Sequence, residues 1–495
     1  MLFQLSRTSY LFLPIFLCFF CFSRPVISQN TDNQAVFDLH QELKRNVTYG
    51  LSYLENTQRK QTIPGRSYRG EWPTVMGLQR GFFLLGGRNK WVYDSNCFSV
   101  ASIHNSLAQI YLAFPEYKNI KPMLNLSYQK VLDYQNGEHF NFWNLLPPNK
   151  ELKKGDVIGS QPLVRRPTNY KLTSKYINKA ANVVEDADDT GLAYAGLAWR
   201  KKIQKRDEVY DSLIFEIDDV SHIFDRYRDL DRNNRHWYNY LNKNDHETGA
   251  YLTWLGDEYQ FKHWNIVKVL GHNATFFMPF SECYPHAYVP YIPYGSNDLD
   301  GVVNANILST LSLHGELDAL GVDSAISYLN RKGTRKKYDR VGIYYPNRYH
   351  FPFAVSEAYA NGVDRLEPSC ASMTEYLLET QHEDGSWTSR KRVNKRDQLQ
   401  STAYALNALI NFGDFEERKT QKTIEKALKY ILSQSITDTN GIHWVGGVFF
   451  SGGTVVRNTL FWKSDAYTTA IILKAFSTYI HYIESKYYIL APKKF

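Results

Sequence analysis

Six segments of this 495-residue chain combine small side chains with apolar ones at three-to-four spacing, and each opens on polar or acidic residues, the pattern of a capped helix. They are 97–113 (Phe98-Ser99-Val100-Ala101), 187–200 (Asp189-Thr190-Gly191-Leu192-Ala193), 299–314 (Val302-Val303-Asn304-Ala305-Asn306), 350–361, 400–411 (Ser401-Thr402-Ala403-Tyr404-Ala405) and 465–478 (Thr468-Thr469-Ala470). Ala, Gly, Ser and Thr on such helices let neighbouring backbones approach closely, as in a crowded barrel wall. More amphipathic segments lie between them, several ending in a turn of a polar amide, a glycine and an aromatic. Tyr53-Leu54-Glu55-Asn56 leads to Gly70-Glu71-Trp72, Tyr240-Leu241-Asn242 to Gly249-Ala250-Tyr251, Tyr376 to Gln381 to Gly385-Ser386-Trp387, and Tyr430 to Gln434 to Gly441-Ile442-His443-Trp444. Six alternating pairs joined by short links predict an all-α (α/α)6 toroid, its six inner helices around a central cavity and its six outer helices forming the rim. Strand signals are few, so little sheet is expected. The stretch 136–183 holds Pro147-Pro148 and no clean period, and reads as an elaborated loop or lid over one mouth.

The N-terminus predicts a secretory signal over residues 1–28, with Arg7 before the apolar run Tyr10 to Phe22 and a cleavage site at Val26-Ile27-Ser28. Residues 29–495 then form a single toroid domain that is secreted, periplasmic or lumenal. Cys97, Cys283 and Cys370 remain after cleavage, too few for a fold held by disulfides. The net charge of +8 includes basic runs at Arg331 to Arg340 and Arg390 to Arg396, which read as solvated surface; an acidic glycan, a diphosphate or a lipid head group is the functional alternative. Peripheral membrane contact fits that charge, whereas nucleic acid does not, since no recognised binding module accompanies it.

Glu185-Asp186-Ala187-Asp188-Asp189-Thr190 places four acids in five positions at the entrance of the second inner helix. Acids there cap the helix and meet the positive end of its dipole. Crowded carboxylates also cannot all ionise, so one keeps its proton and can donate it. Asp186-Ala187-Asp188-Asp189-Thr190 matches a DxDDT motif, and Gln381-His382-Glu383-Asp384-Gly385-Ser386-Trp387 matches a QxxxGxW repeat. On these two motifs the chain resembles the superfamily of terpenoid cyclases and protein prenyltransferases, squalene-hopene cyclases in particular. The resemblance implies a class II cyclase of isomerase or lyase type. Asp188 would be the acid that starts cyclisation of a polyene, with Asp186 and Asp189 tuning it, and the Gln and Trp would tie an outer helix to its neighbour. Aromatic residues, 15% of the chain, could stabilise carbocations.

A second acidic entrance, Asp298-Leu299-Asp300, precedes the third inner helix, so Asp186, Asp188, Asp298 and Asp300 could share one mouth. Two carboxylates facing each other there would suit a secreted carbohydrate-active toroid, a glycoside hydrolase or polysaccharide lyase. Oxygen ligation of Ca²⁺ or Mg²⁺ is a further reading of the same acids; otherwise no cofactor is indicated. His104 and His350 are the histidines nearest such acids in the pattern, and each is also readable as a hydrogen-bonded core histidine. Asn304 and Asn306 lie two residues apart on a helix, so only one of them faces the cavity. Tyr294 ends a tyrosine- and proline-rich loop from Tyr284, either packed or a stacking platform for substrate. The expected partner is a small molecule, an apolar prenyl chain or else a glycan, bound with turnover or without it.

Overall fold

The computed structural model describes residues 27–78, 91–146, 163–168, 182–230, 247–256, 290, 292, 297–389, 397–413, 415, 417–452 and 460–490. The chain forms two compact units, residues 1–42 and 43–495. The described part of the first is the beginning of a helix that ends at Thr57, and the second holds every other feature discussed below. The signal expected over 1–28 lies almost wholly outside the described residues, as do Cys283, the tyrosine-rich loop up to Tyr294, the basic run 390–396 and most of the lid expected over 136–183.

Twelve helices run through the described residues. The inner set is α2 (Cys97–Ala113), α4 (Ala187–Asp207), α6 (Gly301–His314), α8 (His350–Ala360), α10 (Gln398–Phe412) and α12 (Asp465–Leu490). Each packs against the next and α12 packs back on α2, closing the ring. Polar side chains on this set bond to neighbouring backbones, which explains why the inner helices are small and polar. Asn105 donates from Nδ2 to the Leu192 carbonyl (3.0 Å), Thr310 from Oγ1 to that of Gly191 (2.8 Å), and Asn407 from Nδ2 to that of Ile471 (3.1 Å).

The outer set is α1 (Ile27–Thr57), α3 (Ile120–Leu132), α7 (Val322–Gly333), α9 (Glu367–Thr380) and α11 (Arg418–Ser433). On α11 the buried side chains Thr420, Thr423, Ile424, Ala427, Leu428 and Ile431 recur at helical spacing, so one face packs and the other is solvated. Between α4 and α6 the described residues hold only the single turn α5 (His222–Asp225); the segment around Tyr240 expected there lies outside them.

The glycine-aromatic turns bind outer helices together by one repeated geometry. Gln381 donates from Nε2 to the carbonyls of Gly385 (3.0 Å) and Thr423 (2.9 Å) on α11, and Gln58 does the same to Gly70 (3.1 Å) and Met123 (3.0 Å) on α3. Trp387 and Trp72, both buried, donate from Nε1 to Leu377 (3.0 Å) and Leu54 (2.8 Å), carbonyls in the last turns of α9 and α1. Gly385 and Gly70 adopt φ of +89° and +93°, and a Cβ there would lie 2.4 Å from the Lys426 carbonyl oxygen and 2.1 Å from that of Leu126. Only glycine fits both the conformation and the approach.

A four-stranded antiparallel sheet in the order β2–β1–β10–β9 adds to the helices: β1 is Val75–Leu78, β2 Val92–Tyr93, β9 Val448–Gly452 and β10 Leu460–Lys463. Val75 pairs with Lys463 and Leu78 with Leu460, so the segment entering the first inner helix is laced to the one entering the last. Three two-stranded pairs complete the sheet content of the described residues: β3 (Gln135–Asn136) with β4 (His139–Phe140), β5 (Leu145–Leu146) with β6 (Val164–Arg165), and β7 (Ile436–Asp438) with β8 (Gly441–His443). Asp94 ties this region together, accepting from Nε1 of Trp462 (2.7 Å) and of Trp143 (3.1 Å) and from the Thr168 amide (3.0 Å). Within the described basic run, Lys336 pairs with Glu375 at 2.7 Å on the surface. Cys97 and Cys370 are buried free thiols.

Burial raises Glu71 to about 7 and Asp94 to about 6. A carboxyl whose pKa is higher folded than unfolded binds more protons in the native state, so its contribution is full below the ordinary carboxylate range and is lost as pH rises through the folded value. Glu71→Gln is therefore expected to be less destabilising at pH 8 than at pH 4.5, by roughly 3 kcal/mol. Thermal melts of both proteins across that range check it; a gap that widens toward pH 8 would show the sign to be wrong.

Candidate functional site

Two acids that look alike in the sequence have different tasks at the entrance of α4. Asp186 is extended (φ −123°, ψ 156°), and its Oδ1 accepts from the amides of Asp188 (3.1 Å) and Asp189 (2.8 Å), so it is the N-cap. Burial lifts Asp186 to about 6 and pushes Asp189 well above the usual range; Asp186, which also takes the two backbone N–H groups, accepts a side-chain hydrogen bond from Asp189. These influences favour the proton of the pair on Asp189, beside the buried thiol of Cys97.

Asp188 reaches elsewhere. Its Oδ1 accepts from Asn306 Nδ2 of α6 at 2.7 Å, and its Oδ2 accepts from the Tyr345 hydroxyl. Burial first, then the nearby charge of Asp186, raise its pKa well above the carboxylate range, and Asn306 only partly offsets them. Both influences favour the protonated, neutral form of Asp188. Asn304 faces away, holding the Tyr251 backbone through its amide (3.0 and 2.9 Å), so Asn306 is the asparagine of the pair on the cavity side.

Asp300 caps α6 through Val302 (2.7 Å) and Val303 (3.4 Å), and its second oxygen accepts from the amides of Ile343 and Tyr344. Those amides belong to the segment that delivers Tyr345 to Asp188, so Asp300 orients the site without facing the cavity. Burial and Asp298 raise it to about 7 against these four N–H groups. Asp298 accepts from the Tyr344 hydroxyl at 2.6 Å, and that hydroxyl accepts from Trp254 Nε1 at 3.1 Å. Adjacent tyrosines thus engage one acid each.

His350 stands in the cavity wall. Its ring lies 4.4 Å from those of Tyr345 and Tyr404, and burial lowers it to about 3, so it is neutral. His104 points outward to α3, where Nδ1 lies 2.8 Å from Ser127 Oγ, and takes no part in the cavity wall. Tyr294 lies outside the described residues. Among the described residues no group of three His, Cys, Asp or Glu side chains could hold a metal ion, and the Asp186 to Asp189 acids do not converge on one point.

The cleft at the ring centre is narrow, about 70 Å³. Phe98, Leu192, Asn306, His350, Phe353 and Tyr467 line the end next to Asp188. Strand β9 seals this end: Phe449 stacks on Phe98 at 5.6 Å (12° between planes), and Phe450 lies 5.6 Å from Phe98 and stacks 4.7 Å from Phe142. Asn306, which donates to Asp188, stands in this aromatic wall, and Asp188 itself is buried and is not one of the side chains that line the cleft. Asp186 and Asp188 lie at the start of α4 and Asp298 and Asp300 at the start of the adjacent α6, but one oxygen of Asp186 and both of Asp300 accept backbone amides. Tyr345, which sequence reasoning passed over, bonds the second oxygen of Asp188; its only local signal is a tyrosine pair just before an inner helix.

No protein-family model and no curated protein matches the chain. Solved structures do. A variant of the type II terpene cyclase MstE from Scytonema, in complex with geranylgeranyl dihydroxybenzoate, superposes with a TM-score of 0.50 and 12% identity over 90% of this chain and 99% of that one. Another variant of that cyclase, bound to merosterolic acid A, gives the same values. A protein from Actinoplanes superposes at 0.50 with 14% identity over 88% of this chain and 99% of that one. At such identities the likeness is one of fold: the chain is an α/α toroid of terpene cyclase-like architecture.

Proposed function

We propose that this toroid acts on a prenyl-type substrate by class II cyclisation, with Asp188 as the initiating acid. The Asp188 proton adds to a terminal alkene carbon, the adjacent π bonds close rings onto the resulting cation, and loss of a proton from carbon ends the sequence. Asp188, left as carboxylate, is then reprotonated from solvent. The observation that carries this reading is the setting of Asp188: buried, bonded by Tyr345 and by Asn306 of the aromatic-lined cleft, with burial favouring its protonated form. Protonating an alkene demands an acid shielded from water, and ring faces favour nearby positive charge. A glycan-cleaving pair is less well supported, because it needs two carboxylates free to act across a sugar, whereas Asp186 and Asp300 accept backbone N–H groups.

Incubation of the purified protein with geranylgeraniol, geranylgeranyl diphosphate and squalene, followed by mass-spectrometric product analysis, tests the proposal. Cyclic products isomeric with a substrate are expected, and none from any substrate would contradict it. Tyr345→Phe should lower the rate about 10- to 100-fold with the melting temperature little changed, since it removes one bond that orients the acid. The cleft is well below the few hundred Å³ of ordinary ligand sites, so a long chain must displace wall side chains such as Trp199. Trp199→Ala is accordingly expected to favour longer over shorter prenyl chains, read as the ratio of their turnover rates.

A further inference from the structure

The lining of the cleft changes character along the ring axis. On α2, Phe98 is followed at helical spacing by Ser102, Asn105, Ser106 and Gln109, all lining the cleft. On α8, His350 and Phe353 give way to Glu357, and on α12, Tyr467 gives way to Lys474 seven residues later, roughly 10 Å along the axis. Rings predominate toward Asp188, with Asn306 among them; at the other end hydrogen-bonding groups predominate, beside Trp199.

Glu357 and Lys474 form an ion pair there, with side chains 15% and 4% exposed. Asn411 of α10 donates to the other Glu357 oxygen, and Lys474 Nζ lies 5.3 Å from the centre of the Phe353 ring. A buried ion pair is a poor device for joining helices, because desolvation cancels most of its attraction and apolar side chains of the same volume would hold as well. In the wall of a cavity it has another use, offering a donor and an acceptor side by side to a ligand.

We propose that Glu357 and Lys474, with Gln109, form a polar subsite for the uncharged hydrogen-bonding head, such as a hydroxyl or phenol, of a substrate whose apolar end lies against Asp188. This deepens the cyclisation reading and rests on it. A hydroxyl can donate to Glu357 and accept from Lys474 at once. An anionic head would meet a lysine whose charge is already balanced and would sit beside the Glu357 carboxylate, where like charges repel.

Calorimetric binding of farnesol, farnesyl diphosphate and the hydrocarbon farnesene to the full chain tests this without turnover. Wild type is expected to bind farnesol at least tenfold more tightly than either of the others. The double variant Glu357→Gln/Lys474→Met, which leaves no unpaired charge, should reduce the advantage of farnesol over farnesene below threefold while farnesene affinity stays unchanged; Gln109→Leu should reduce it in part. Equal binding of farnesol and farnesene by wild type, or tighter binding of the diphosphate, would overturn the subsite and leave the cyclisation reading standing. Absence of binding by all three would overturn both. The expected order of affinities with no cyclic product from any substrate would overturn cyclisation alone.

Discussion

Asp188→Asn is expected to abolish product formation, a loss of at least about 10³-fold, while the protein melts within a few degrees of wild type. The two halves of this expectation come from the same fact. Burial favours the protonated form of Asp188, so an amide of nearly the same shape replaces it with little change in charge, and its carbonyl oxygen still accepts from Asn306. The amide has no proton acidic enough to give to an alkene. Replacement of the neighbouring acids should separate the roles. Asp186→Asn retains a capping oxygen for the amides of Asp188 and Asp189 and should cost less activity than the change at Asp188. Product yield and thermal melts of these variants, measured side by side, provide the check. Equal losses at both positions would mean that the cap, and not the acid, is what activity needs.

The largest loss of stability is expected from Trp387→Ala, about 3 to 5 kcal/mol. Trp387 is fully buried between α9 and α10, its indole donates to Leu377, and its amide donates to Thr402 Oγ1 at 3.0 Å. Removing the ring opens a cavity and leaves the Leu377 carbonyl, at the end of a helix, without that donor. Trp387→Phe keeps most of the volume and should cost about 1 to 2 kcal/mol, chiefly the hydrogen bond. Trp72→Ala should behave like Trp387→Ala, because its indole meets Leu54 in the same way. Chemical denaturation of the four proteins measures these differences. A cost below about 1 kcal/mol for either alanine variant would contradict the view that these turns tie the ring together.

Much of this architecture could be read from local pattern, because a toroid repeats it. The inner helices begin where capping residues precede small and apolar ones: Asn96 before α2, Asp186 before α4 and Asp300 before α6 each accept from amides of the first turn. The helices α3 and α7 lack the glycine-aromatic ending that marks other outer helices, so the sequence carries no local signal for their bounds. Gln58 escaped notice because the segment 59–69 separates it from Gly70, whereas Gln381 and Gly385 lie one turn apart. The strands of the closing sheet are two to five residues long, too short for a period of two to stand out.

The site was legible only in outline. Spacing predicts an acidic mouth, but it cannot tell the acid that caps from the acid that reaches across the ring. That distinction depends on Asn306 and Tyr345, brought to Asp188 by tertiary packing from 118 and 157 residues away. His104 and His350 both sit on inner helices, yet the helical rotation of α2 turns His104 to Ser127 on the rim while His350 stands in the cleft.

The central claim is that Asp188 gives a solvent-derived proton to carbon. Turnover of geranylgeraniol in D₂O, after exchange of the acid, reads this directly from the mass of the product. The account predicts a cyclic product carrying one deuterium at the carbon that was the terminal alkene, formed by wild type and lost with Asp188→Asn. A cyclic product without deuterium, or one formed equally well by Asp188→Asn, would contradict it.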